Sequence, residues 1–184
     1  MLNKSNWIAY QIFDNATSQH FLDYLENKYP PNAHATTFGG DGGKDSEIRD
    51  TLISWVNTEA EETLVSKILN YVKIANRNLY GFDIYSDTIY DLQLSKYPPG
   101  GHYKDHWDCN FSRIISYQRK LSFVLFLNSE YEGGELIISD TNQLGKPEAG
   151  TLVVFPSIYY HKVSPVTQGT RYTLVGWVEG PPWR

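Results

Sequence analysis

The 184-residue chain carries 16 Lys and Arg against 21 Asp and Glu, a formal charge of −5, with no basic stripe, which argues against nucleic acid as a partner. Met1 to Ala9 lacks a basic start followed by an apolar run, and no later stretch is apolar enough to span a bilayer, so a soluble, cytoplasmic protein with no membrane association is expected. Its one cysteine, Cys109, excludes an internal disulfide, and an aromatic fraction of 15%, mostly Tyr and Trp, leans toward strand in a chain of single-domain length.

Trp7 to Phe13 reads as a short strand, followed by a helix with Phe21, Leu22 and Leu25 on one face, stopped by Pro30-Pro31. From Ala33 to Asp45 small and polar residues predict a loop. Within it Gly39–Lys44 lacks the spacing and the hydroxyl residue of a phosphate-binding loop, leaving a plain surface loop or a substrate lid. Thr51 to Val56 fits a strand. Thr58-Glu59-Ala60-Glu61 then has the form of a capping box, and Leu64, Ile68, Leu69 and Val72 recur at helical spacing as far as about Asn76.

Beyond Tyr80 the period changes, with Tyr90, Leu92 and Leu94 alternating with polar residues. Strands are expected at Lys120–Leu127, Glu135–Ser139, Thr151–Phe155, His161–Val166 and Tyr172–Val178, separated by turn material such as Glu132-Gly133-Gly134. Closely spaced strands without intervening helices predict an antiparallel sandwich or jelly roll, mainly β within an α+β plan. The expected organisation is one domain over 1–184, residues 1–78 forming a helical support region and 79–184 the jelly-roll core.

The chemistry gathers after the turn Pro98-Pro99-Gly100-Gly101, where His106 and Asp108 form an H-x-D pair. On one strand, alternation would point both side chains to one face, offering an imidazole and a carboxylate to two neighbouring sites of a metal. His161, after an apolar strand, is the best third ligand; two histidines and a carboxylate leave the open positions used by non-haem iron oxygenases. His102 reads as a turn residue and Cys109 as pointing away from the ligand face. Ten residues past His161, Arg171 has the planar fork that clamps a carboxylate, its bland alternative being a surface ion pair.

The pattern Tyr97, Gly100, Tyr103, His106, Asp108, the run Gly133-Gly134-Glu135-Leu136, and the set His161, Val163, Pro165, Val166, Gly169, Arg171 resemble the prolyl-4-hydroxylase-like branch of the Fe(II)/2-oxoglutarate oxygenases. The resemblance spans roughly residues 79–178; the first third of the chain shows none. It implies a double-stranded β-helix with supporting N-terminal helices, His106, Asp108 and His161 as catalytic iron ligands, and Arg171 with Tyr97 holding 2-oxoglutarate. A second tyrosine found on the central strand of some relatives is replaced by Phe126. The resemblance further implies Arg119, Tyr103 and Trp177 as substrate contacts, with Glu179 standing where some members have a histidine.

The cofactors so implied are Fe(II), 2-oxoglutarate and O2, with ascorbate as an accessory reductant. The expected reaction hydroxylates a prolyl residue of a protein or peptide, releasing succinate and CO2. A free amino acid or other small-molecule substrate is the alternative within the enzyme class. A catalytically silent jelly-roll binding module is the alternative outside it, opposed by the intact ligand set. A nucleic-acid demethylase with the same cofactors is opposed by the acidic balance.

Overall fold

Alternation of side chains along the central strands divides the interior into two cores. In a computed structural model that describes residues 6–35, 46–85, 87–109, 116–139 and 142–183, strands β1 (Ile8–Gln11), β2 (Ala33–His34), β3 (Arg49–Asp50), β4 (Leu52–Trp55), β5 (Leu92–Tyr97), β6 (His102–His106) and β7 (Gln118–Phe126) are followed by β8 (Tyr131–Gly133), β9 (Leu136–Ile138), β10 (Asn142–Gln143), β11 (Thr151–Pro156), β12 (His161–Val163), β13 (Val166–Gly169) and β14 (Arg171–Gly180). The large sheet runs β1-β11-β7-β14-β5-β4-β2, the smaller one β10-β9-β12-β6-β3, and β13 pairs with β8. Every described pairing is antiparallel.

On β7, Leu121, Phe123 and Leu125 face helices α1 (Asn15–Lys28) and α2 (Glu62–Ala75), together with Leu92, Leu94, Leu152, Val154 and Leu174 of neighbouring strands. The opposite parity, Val124 and Phe126, meets Tyr97, Val153, Phe155 and residues of the second sheet such as Leu136, Ile138 and Val163. Strands buried on both faces lose the apolar-polar alternation of a half-exposed strand, which is why β5 buries Gln93 and Ser95 as well as its leucines. The result is a jelly roll with two helices on the outer face of its large sheet.

The early residues do more than supply helices: β1 extends the large sheet beside β11, while β4 and β3 extend the large and small sheets beside β5 and β6. Asp14 caps α1 by accepting from Thr17 N at 2.7 Å. The expected capping box at Thr58–Glu61 does not form. Instead Asn57 Oδ1 accepts from Glu59 N and Ala60 N at 3.1 and 3.0 Å, holding a turn, and α2 begins at Glu62 with no side-chain cap. Glu61 is diverted to tertiary contacts, accepting from Lys28 Nζ at 2.8 Å and from the hydroxyls of Tyr24 and Tyr29 at 3.0 Å.

The strand expected over 161–166 is interrupted at Ser164-Pro165, because proline has no N–H to continue a ladder; its carbonyl accepts from Gly134 N at 3.1 Å. The Gly39–Lys44 stretch lies outside the described residues. No helix among those described is long and apolar enough to cross a membrane.

Candidate active site

The turn before β6 follows from its residues: Gly101 N donates to Pro98 O at 2.7 Å, and Gly100 takes φ +88°, a left-handed geometry that glycine adopts without strain. β6 then pairs with β12, His106 opposite His161 and Tyr103 opposite Val163, so three steps on β6 match two on β12. That extra residue is a β-bulge, and it turns Tyr103 and His106 toward one another instead of to opposite faces. Asp108 lies past the end of β6 rather than on it. Its backbone N–H donates to Ser157 O at 3.0 Å, and this contact, not strand alternation, brings its carboxylate beside His106.

The ligand atoms of His106, Asp108 and His161 all lie within 4.8 Å of one another. His106 Nε2 is 3.7 Å from Asp108 Oδ1, and His161 Nε2 is 3.4 Å from Oδ2. Each imidazole directs Nδ1 to a backbone carbonyl, His106 to Lys104 O at 2.8 Å and His161 to Tyr159 O at 3.0 Å. Donation there leaves both Nε2 lone pairs facing the centre, a tautomer suited to metal binding. Burial, reinforced by His161, depresses the His106 pKa to about 4, keeping that ring neutral at neutral pH. Burial alone would raise the Asp108 pKa, but the two histidines and the Ser122 hydroxyl outweigh it and hold the carboxyl below its usual range. Ser122 Oγ donates to Asp108 Oδ2 at 2.7 Å and lies 2.9 Å from Ser157 Oγ.

Arg171 opens β14 directly opposite Tyr97 of β5 and is 1% exposed. Its guanidinium sits 5.0 Å from the Tyr97 ring and 4.9 Å from Phe126, and donates to Thr173 Oγ1 at 3.4 Å. Nε and one terminal nitrogen are buried without a partner. A charge so placed, with two nitrogens lacking a protein partner, could hold a carboxylate. Gly134 makes the seat possible, since a Cβ there would lie 2.9 Å from Arg171 Cδ. Tyr131 packs in the same place; burial raises its phenol pKa while Arg171 opposes the rise.

These groups open onto one cavity of about 1050 Å³. All the residues expected from the sequence line it: the triad, Arg171, Tyr97, Tyr103, Arg119 and Trp177. Tyr103 stacks on His106 at 3.5 Å and 18°. Arg119 is not a lone strand-edge charge: its guanidinium covers the Trp177 ring at 3.6 Å and pairs with Asp91 at 3.3 Å. Glu179, opposite Arg119 in the sheet, also lines the cavity. His102 stands apart, opening β6 with Nδ1 3.0 Å from Gly100 O. Cys109, expected to point away, forms part of the wall, with Sγ accepting from Trp183 Nε1 at 3.2 Å.

The residues not foreseen are Arg49, Ser122, Ser157, Thr173 and Tyr131. A serine interrupting the apolar run Leu121-Ser122-Phe123 is a signal that could have been read; Arg49 and Tyr131 carry none locally.

A family model described as 2OG-Fe(II) oxygenase superfamily matches residues 92–179. A PKHD-type hydroxylase of Picosynechococcus is 44% identical over 97 residues, covering 50% of this chain and 43% of that protein. One of Rippkaea orientalis is 40% identical over 120 residues, 61% of this chain and 54% of that protein. One of Prochlorococcus marinus is 31% identical over 162 residues, 86% of this chain and 67% of its own length. The chain spans about half the length of the first curated relatives it matches. Among solved structures, a Pseudomonas putida prolyl-4-hydroxylase shares the fold at TM-score 0.71 and 22% identity, covering 97% of this chain and 95% of that one. A viral collagen prolyl hydroxylase from Paramecium Bursaria Chlorella virus-1 does so at TM-score 0.72 and 16% identity, covering 96% and 97%. With the family match spanning the triad and Arg171, and the Prochlorococcus relative aligned over two thirds of its length, the chain belongs to the 2OG-Fe(II) oxygenase superfamily.

Proposed function

We propose that the chain is an Fe(II)- and 2-oxoglutarate-dependent hydroxylase acting on a prolyl residue of a protein or peptide. The observation that carries this reading is the buried, under-satisfied Arg171 guanidinium opening onto the same cavity as the His106, Asp108 and His161 cluster. The residues fit the groups they would hold: two imidazoles and a carboxylate suit a divalent iron, and two unpartnered nitrogens of a planar guanidinium suit a carboxylate. When bound, iron and 2-oxoglutarate supply the oxidation of a C–H bond by O2, with release of succinate and CO2.

The protein's part is coordination, orientation and exclusion of water. Lys104 O and Tyr159 O fix the imidazole tautomers, and Ser122 restrains the carboxylate. Tyr97 and Phe126 wall the guanidinium of Arg171, which lines the cavity. Substrate enters past the exposed aromatic residues Trp55, Tyr117 and Tyr160 at the rim, where flat apolar surface favours a polypeptide over a small polar molecule. The prolyl class is supported by the neighbours of like fold, a prolyl-4-hydroxylase and a collagen prolyl hydroxylase, and the broader hydroxylase class by the PKHD-type relatives. Arg119 and Trp177 act in this reading as one stacked unit that shapes the substrate side.

The test is succinate formation by the Fe(II)-loaded chain with proline-containing peptides and with free proline, each product weighed by mass spectrometry. A gain of one oxygen on a peptidyl proline is expected, and His106→Ala, Asp108→Ala or His161→Ala should each abolish it. Modification of the free amino acid alone would refute the peptide substrate. Undiminished turnover in a ligand variant would refute the iron site.

A further inference from the structure

Arg49 has no role in the reading so far, and the sequence of its region resembles no part of the family pattern. It lies on β3, a two-residue edge strand, where it is the direct partner of Tyr103 on β6. Lys104 N donates to Ile48 O at 2.9 Å, extending that pairing by one bond. The guanidinium carbon lies 4.4 Å from the centroid of the Tyr103 ring, and that ring stacks on His106 at 3.5 Å. His161 closes the far side of His106 at 4.1 Å between centroids, tilted by 52°. Arg49, Tyr103, His106 and His161 therefore form one continuous pile ending in two members of the triad.

No carboxylate among the described residues lies within ion-pair distance of Arg49, and its Nε is buried without a partner. Its guanidinium is turned to Tyr103, whose ring quadrupole attracts a cation and whose hydroxyl it also approaches. His106 Nδ1 is hydrogen-bonded to Lys104 O at 2.8 Å, which fixes one edge of the ring and leaves its tilt to the rings packed on it. Tyr103 sets that tilt from one side, and Arg49 packs on Tyr103 in turn.

We infer that Arg49 is a positioning residue for the metal site, holding His106 in its ligating orientation through the ring of Tyr103. The inference rests on the metal-site reading above. Outer groups that orient a metal-bound histidine typically carry about 10- to 100-fold in metal affinity, and a stacking contact belongs at the lower end.

Co(II) alone serves as the probe, its d–d absorption reporting both affinity and ligand geometry. Arg49→Met, which keeps the apolar stem and removes the planar cation, should weaken Co(II) about tenfold and alter the band shape. Tyr103→Leu should do the same, and Arg49→Met added to Tyr103→Leu should cost nothing more, as expected for residues acting in series. Arg49→Lys, keeping charge without the planar face, should fall between wild type and Arg49→Met. Wild-type affinity and spectrum in Arg49→Met would overturn the inference, as would additive losses in the double variant. Should Arg49→Met fail to fold, wild-type Co(II) binding by Arg49→Lys has the same force. If instead the wild type takes up no Co(II), or Asp108→Ala binds it equally well, the metal site itself falls.

Discussion

Replacing Arg171 by Met should separate stability from binding, because its buried charge has too few protein partners and suits an anion. Arg171 is 1% exposed, its guanidinium bonded to Thr173 at 3.4 Å and flanked by Tyr97 and Phe126, with two nitrogens lacking a protein partner. Two orphaned donors cost about 1–3 kcal/mol each, against a cation–π gain of about 0.5–2 kcal/mol. Met fills much of the same volume without the charge, so the ligand-free variant should melt at or above the wild-type temperature. For a chain of this size, about 1 kcal/mol moves the midpoint by roughly 2–4 °C.

Binding should change in the opposite direction. Truncating one partner of a buried charge pair costs about 2–5 kcal/mol, or roughly 30- to 5000-fold in affinity. At one hundred times its dissociation constant, 2-oxoglutarate stabilises the wild type by about 2.7 kcal/mol. At that same concentration the variant should retain less than about 1 kcal/mol of this effect. The assay is thermal unfolding under argon with Mn(II), with and without 2-oxoglutarate. A full 2-oxoglutarate shift in Arg171→Met would refute the clamp, and a ligand-free midpoint lowered by more than a few degrees would refute the account of an orphaned charge.

Ser122→Ala removes the hydroxyl that restrains Asp108 Oδ2 at 2.7 Å and should weaken metal binding about tenfold or more by titration, where an unchanged constant would exclude the role. Gly134→Ala places a Cβ 2.9 Å from Arg171 Cδ at φ +64° and should lose about 1–2 kcal/mol of stability together with 2-oxoglutarate affinity; wild-type values of both by calorimetry would show that the seat is not tight. Burial works to raise the Glu61 pKa, but hydrogen bonds from Lys28, Tyr29 and Tyr24 outweigh it and place it below the ordinary 4.5. Its stabilising contribution is therefore present above that ordinary value and lost as pH falls through the lower folded value. Glu61→Gln should cost about 1–3 kcal/mol at pH 7 and flatten denaturant stability across that acidic window, and an unchanged slope would dismiss the network.

The residues of the site were named by sequence because their chemistry depends on side-chain type and order. His106, Asp108, His161 and Arg171 are recognisable wherever the chain carries them, and the strands around them betray themselves by short apolar runs between glycine-rich turns. Period-two alternation also determined which residues share a face along β14 and from Leu121 to Phe126 of β7, but not at Arg119, which a register irregularity opposite Val178 and Glu179 returns to the cavity side. What the sequence left open depends on contacts between distant segments. The bulge in β6 that turns Tyr103 onto His106 shows only in the register against β12, and Asp108 reaches the cluster through Ser157, 49 positions on, rather than through strand geometry. Glu61 had the form of a helix-start carboxylate, yet Lys28 and two tyrosines claim it because α1 packs nearby. Arg49 was unreadable for the same reason: its partner Tyr103 lies 54 positions away, and only the pairing of β3 with β6 brings a guanidinium onto that ring. Local propensity and alternation act over a few residues and are written in the chain, whereas packing is decided by whichever distant surfaces exclude water together.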